Sequence, residues 1–187
     1  CTPTGVEVSP IYTGEMEALA SLRNEARTAG IDLEDSSVEY RMGQYPYTEE
    51  ITNSRVIRGE PVVLEASDDE KGIAVSIVTY TEAEVHPKDV GSGSSLSEYD
   101  MQQRALDAAA DWAQTGTPYA VGTFYDPAKV GDRAEAEKLI NDLRDDSKGD
   151  YEERSEQYQA AVKAQLEEQL REQVRDFIEW LRGQGII

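Results

Sequence analysis

The sequence holds one cysteine, one histidine, two phenylalanines and six lysines in 187 residues. A single cysteine excludes an internal disulfide, so any bridge would join two molecules. One cysteine with one histidine excludes a zinc site built from the usual nitrogen and sulfur ligands. No run of about 18 apolar residues occurs, so no helix is expected to span a membrane, and attachment to a bilayer would need a lipid or a partner. No basic patch exists to displace counterions from phosphates, which makes nucleic acid a poor partner. The glycine-rich nucleotide fingerprints GxxxxGK[ST] and GxGxxG and the nucleophile elbow GxSxG are all missing. No cofactor and no metal site is read from the sequence.

What is present is negative charge. Aspartate and glutamate number 38 against 18 lysines and arginines, for a net charge of −20, and arginine outnumbers lysine 12 to 6. Such a surface repels itself at low ionic strength. At about 1 M salt the Debye length falls to about 3 Å and the repulsion is screened. Dense carboxylates with scarce lysine resemble the proteins of extreme halophiles, haloarchaea in particular. The resemblance is one of composition and not of family. A merely acidic mesophilic protein is the alternative.

The chain is read as a tether over residues 1–9, an α+β domain over 10–149, and a long helix over 150–187. Cys1-Thr2-Pro3-Thr4-Gly5 opens a short polar lead-in without helical or strand period. A cysteine in first place fits removal of a signal peptide ahead of a lipid-modified Cys1, which would put the domain outside the cell on a membrane anchor. It also fits an amino-terminal nucleophile hydrolase, in which the free amine serves as base for the Cys1 thiol, or a plain fragment boundary. The catalytic reading lacks a glycine-rich oxyanion turn and polar partners near Cys1. His86, before Pro87, reads as a solvent-exposed histidine.

Thr13 is a candidate cap for a helix over 14–29, with Met16, Leu19, Leu22 and Ala26 as its stripe and Gly30 as a left-handed stop. Ile51–Ile57, Val62–Ala66, Ile73–Tyr80 and Tyr119–Tyr125 read as strands. The polar turn formers of residues 67–72 suggest an antiparallel hairpin between the second and third of these. Apolar residues on both faces of Ile73–Tyr80 suggest a central strand covered on both sides. A helix is expected from Ser97 to about Gln114, packing through Tyr99, Leu106, Ala109, Ala110 and Trp112. A shorter one is expected over 132–144. The acidic groups Asp68-Asp69-Glu70 and Asp142 with Asp145-Asp146 raise the question of calcium, but neither follows the spacing of an EF-hand. Ten tyrosines, among them Tyr40, Tyr45 and Tyr47, suit the border between a modest core and water.

Residues 150–182 contain no glycine or proline, and helix formers dominate. A helix of this length measures about 50 Å. A 187-residue domain has a radius of gyration near 16 Å, so an overhang is expected. Tyr158, Val162, Leu166, Leu170, Val174 and Ile178 recur every four residues, a stripe that wraps slowly round the helix and is no heptad seam. Phe177, Trp180 and Leu181 broaden it. Two uses of the stripe stay open: packing along its own domain, or binding a partner or a second copy through Leu166, Leu170, Val174, Phe177, Ile178, Trp180 and Leu181. The expected fold is α+β: a small, mostly antiparallel sheet covered by helices, with a long carboxy-terminal helix. The expected function is that of a secreted, lipid-anchored, non-enzymatic binding or assembly subunit on the surface of a halophile. The alternatives are the amino-terminal-cysteine amide hydrolase and a structural subunit of a virus or extracellular filament.

Overall fold

A computed structural model describes residues 11–36, 39–41, 61–79, 98–114, 116–129 and 151–187. Glu15–Thr28 forms helix α1. The carboxylates of Glu15 and Glu17 lie in its first turn, where they favour the positive end of the dipole. Its stop is the expected one: Gly30 adopts φ +75°, and the Gly30 and Ile31 N–H groups donate back to Arg27 and Ala26 carbonyls at 2.9 and 3.1 Å. Its start differs from the expected one. Gly14 occupies the cap with φ 93° and the Thr13 side chain makes no capping bond. Instead the Asp126 carboxylate, 112 residues away, accepts from the Gly14 N–H at 3.0 Å and the Thr13 N–H at 3.3 Å. The buried face is Ala18, Leu22 and Ala26, while Met16 is 85 % exposed. Of the expected stripe, Leu22 and Ala26 are buried, Leu19 is half-buried and Met16 lies off it.

The main sheet has four strands in the order β2-β5-β6-β7. They are Glu34–Asp35 (β2), Ala66–Asp68 (β5), Ile73–Val78 (β6) and Ala120–Tyr125 (β7). The β2–β5 and β5–β6 pairs are antiparallel and the β6–β7 pair is parallel. An antiparallel hairpin into β6 is present as expected, but its first strand takes Ser67 and Asp68 from the expected turn, which ends at Gly72 with φ +65°. Helix α2 (Glu98–Gln114) lies in the crossover between β6 and β7, the long connection a parallel pair needs. Two short antiparallel ribbons complete the strands. Ile11–Tyr12 (β1) pairs with Ala128–Lys129 (β8), and Glu39–Arg41 (β3) with Pro61–Val63 (β4).

The strand expected over 62–66 is split. Pro61–Val63 belongs to one ribbon and Ala66–Asp68 to the main sheet. The chain crosses between them at Leu64 and Glu65. Leu64 is fully buried with Ala74 and Trp112, and the Glu65 carboxylate accepts the Ile77 N–H at 3.3 Å, completing β6 where no strand stands. The expected strand at 51–57, the helix at 132–144, His86 and Cys1 lie outside the described residues.

β6 is covered on both faces, as its sequence suggests. Ile73, Val75 and Ile77 join α1 and helix α3 (Tyr151–Gly183) in the main core, while Ala74 packs with Trp112 and Val78 near Met101. On α2 the buried positions are Met101, Ala105 and Trp112; Leu106 is 64 % exposed, and Ala109 and Ala110 also face out. Of the expected face, Trp112 is buried and Leu106, Ala109 and Ala110 are not, while the Tyr99 side chain lies outside those described. Alanines at 105, 108, 109, 110 and 113 stand all round α2, so small apolar residues mark no single face for a periodic reading.

A second long-range tie closes the hairpin end. Asp68 is 5 % exposed. It accepts the Asp32 N–H at 3.0 Å, the Lys71 N–H at 3.1 Å and the Lys71 ammonium at 3.1 Å. Burial pushes this carboxyl up, but the bonds from Asp32 and Lys71 together outweigh it and hold it below its ordinary value. A carboxyl lowered on folding adds stability above its unfolded pKa of about 3.9 and loses it as pH falls through the folded value. Asp68→Ala is expected to cost about 1–3 kcal/mol at neutral pH. The deficit against wild type should shrink below about pH 4, where the wild-type carboxyl takes up its proton. Urea unfolding of both proteins across pH 3 to 7 checks this; a deficit that does not change with pH would mean that the charge is not what holds the turn.

Candidate interaction surface

α3 runs for 33 residues, and its stripe is spent largely inside the chain. Leu166, Leu170, Val174, Ile178 and Leu181 are all at most 5 % exposed. The last four pack in the main core with Ala18, Leu22 and Ala26 of α1 and Phe124 of β7. A side chain so covered has no area left for a partner. Of the seven residues read from the sequence as partner-binding, the structure leaves Phe177 half-buried and Trp180 49 % exposed. Towards the start of α3 no described side chain between Tyr151 and Ala161 is buried. The nearest tie there is the Lys129 ammonium, 5.8 Å from the centre of the Tyr158 ring. That stretch is the part of the helix beyond its core contacts.

The flank of α3 facing α1 is neutralised by ion pairs. Arg175 binds Glu25 at 2.9 Å and Glu168 at 2.7 Å, Arg171 reaches Glu167 and Glu168 at 3.5 Å, and Lys163 lies 3.8 Å from Glu17. A shallow groove beside Arg175 is lined by Glu25, Thr28, Glu179 and Arg182. The Arg175–Glu25 pair spans it and leaves it no unbalanced charge for a ligand.

The other flank, over β7, is aromatic. Phe177 meets Phe124 edge-on, with centroids 5.7 Å apart and planes at 81°. Its outer side carries Trp180, stacked at 5.8 Å and 13°. This packing requires Gly122. A Cβ there would stand 2.7 Å from Phe177 Cε1 and 2.9 Å from Phe124 Cε2, closer than carbon atoms approach. One turn earlier on the same flank, Gln173 clasps the end of β7: its Oε1 accepts the Tyr125 N–H and its amide nitrogen donates to the Tyr125 carbonyl, both at 3.1 Å. Trp180 is thus a large ring half-exposed to solvent and stacked on Phe177, which itself packs on β7.

The polar groups nearest β7 serve the fold. Asp126 is fully buried. Burial pushes its carboxyl up, the bonds from Gly14 and Thr13 draw it down, and Glu17 opposes its charge; the balance is upward. Its lone pairs are directed at the start of α1. Of the acidic groups that raised the calcium question, Asp68 is taken up by Asp32 and Lys71, and Asp69 accepts from the Ser67 hydroxyl and the Tyr119 hydroxyl at 2.8 Å each. Asp142, Asp145 and Asp146 lie outside the described residues. Sequence reasoning passed over Gly122, Gln173 and Asp126. The first had a signal, since an isolated glycine within a strand marks a close approach of another group. The other two act across long separations that no local pattern records.

No protein family, curated protein or solved structure matches this chain.

Proposed function

We propose that this chain is a non-enzymatic binding or assembly subunit of a halophile's cell surface. The carrying observation is Trp180, whose ring is half-exposed yet fixed against Phe177. Tryptophan at the surface of a rigid element is the residue type that most often dominates an interface, because it brings large apolar area at small entropic cost. The net charge of −20 supports the salt-rich setting. Attachment through a lipid on Cys1 belongs to the same proposal. Intact mass of the native protein decides that part: a thioether-linked lipid adds mass, and an unmodified thiol removes the anchor from the reading.

Trp180→Ala separates binding from folding, since an exposed side chain contributes little to the core. In a native envelope extract kept in molar salt, the wild-type protein is expected to sediment in a complex heavier than its 20.8 kDa. The variant is expected to melt within about 1 kcal/mol of wild type and to leave that complex. A wild-type protein that sediments as a free monomer, or a complex indifferent to the loss of Trp180, overturns the assignment.

A further inference from the structure

β7 is the last strand of the main sheet in space. Its parallel register with β6 sets Ala120 against Ile73, Gly122 against Val75 and Phe124 against Ile77. The Ala120 and Asp126 N–H groups donate to the Gly72 and Val78 carbonyls at 2.8 and 2.9 Å, so the even-numbered peptide groups serve β6. Peptide groups alternate in direction along a strand, and those of Val121, Thr123 and Tyr125 therefore point outward. Gln173 completes the edge at Tyr125. At the other end the Tyr119 N–H donates to the Thr117 hydroxyl at 3.3 Å. Between these stops, the N–H and C=O of Val121 and Thr123 have no hydrogen-bond partner among the described residues.

An open edge is ordinarily guarded by lysine, proline or an inward charge. The β7 segment AVGTFY has none of these, in a chain of which 30 % is charged. We propose that a second copy of this chain pairs with it, β7 against β7, antiparallel about a two-fold axis through Gly122. In that register Val121 of each copy faces Thr123 of the other. Each such pair exchanges two hydrogen bonds, so four bonds satisfy all the open groups of both edges. Gly122 meets its own copy at a closely spaced position, with Cα atoms about 4.5 Å apart, where a side chain would be crowded. Trp180, on the flank over β7, gains cover. A partner strand must offer open groups on two alternate residues and carry no charge; the β7 of a second copy meets both conditions. The proposal rests on the assembly reading above and names its partner.

Two copies of charge −20 repel at low ionic strength, so pairing should strengthen with salt, by about tenfold or more as the Debye length falls from about 10 to about 3 Å. Purified full chain is measured by sedimentation velocity from about 0.1 to about 1 M potassium chloride, and by amide hydrogen exchange at two protein concentrations. The mass is expected to move from 20.8 kDa toward twice that value as salt rises. Exchange at Val121 and Thr123 is expected to slow with protein concentration, while Gly122 and Phe124 keep their rates. Thr123→Pro removes an outward N–H and leaves the β6 ladder whole, so it should stay folded and monomeric. If it does not fold, the exchange measurement on the unmodified chain decides alone. A chain that stays monomeric through the salt series overturns the pairing, as does a dimer whose Val121 and Thr123 amides ignore concentration. If the purified chain is monomeric while the envelope extract holds a complex that needs Trp180, the pairing is wrong and the assembly reading stands.

Discussion

Replacing Leu170 and Val174 together with glutamate is expected to abolish the cooperative thermal transition. Leu170 is fully buried and Val174 is 2 % exposed, and both face the apolar side of α1. Truncating one buried leucine to alanine already costs about 2–5 kcal/mol. Glutamate adds the expense of placing a carboxylate among Leu22, Ala26 and Ile178, with no cation within the cluster to receive it. Two such changes exceed the total stability of an ordinary domain, about 5–15 kcal/mol, at its lower end and approach its middle. Circular dichroism on heating and one-dimensional proton spectra check this. A variant that melts like wild type, and differs only in association, would place the stripe at an interface and contradict its burial.

Melting in a salt series is expected to show the second large effect. On the outer face of α3, Glu172 and Asp176 stand exposed with no ion-pair partner among the described residues. Of the cations of that helix, Lys163 and Arg175 reach α1, and Arg171 pairs with Glu167 and Glu168 of the helix itself. Charges so placed can be offset only by dissolved ions, and the compact chain holds its surplus of 20 negative charges closer together than the unfolded chain does. Relief of even about 3 kcal/mol corresponds to about 6–12 °C in Tm for a domain of this size. The Tm should climb between dilute buffer and about 1 M salt and then level off as screening saturates. A flat profile would show that the folded state tolerates its charge unaided, and the halophilic assignment would fall with it.

Some of this architecture was legible because it is local. The α3 helix follows from a run without glycine or proline, and its wrapping stripe marks the buried positions from Val162 to Leu181. Gly30 and Gly72 announce their turns, and the turn formers before Ile73 announce a hairpin, though not that Ser67 and Asp68 belong to its first strand. The use of the stripe was not legible, because a periodic apolar face looks the same whether α1 or another chain covers it. The parallel β6–β7 pair was missed for a related reason: its partner strands are separated by a crossover that local pattern cannot count. Asp126 illustrates the limit. Next to Pro127 it reads as the end of a strand, and only the return of β1 beside β8 brings Thr13 and Gly14 to it. The aromatic surface was half legible. Phe177 and Trp180 were singled out, but their orientation depends on the space left by Gly122.

The position of α3 in the chain also sets a timetable for folding. α1, made early in synthesis, faces the sheet with half of a core whose other half is Leu170, Val174, Ile178 and Leu181. Until Leu181 has left the ribosome, Leu22, Ala26 and Val75 have nothing to close against on that side. The contacts that complete the core span about 150 residues, as the Glu25–Arg175 pair does, so they wait on the synthesis of α3 rather than on the search that follows it. The growing chain consequently stays open on that side until α3 is made. Its dense carboxylates keep that open chain apart from its neighbours during the wait. The order of assembly is thus written into the fold: of the elements described, α3 stands latest in the sequence, and it is the one that closes the core.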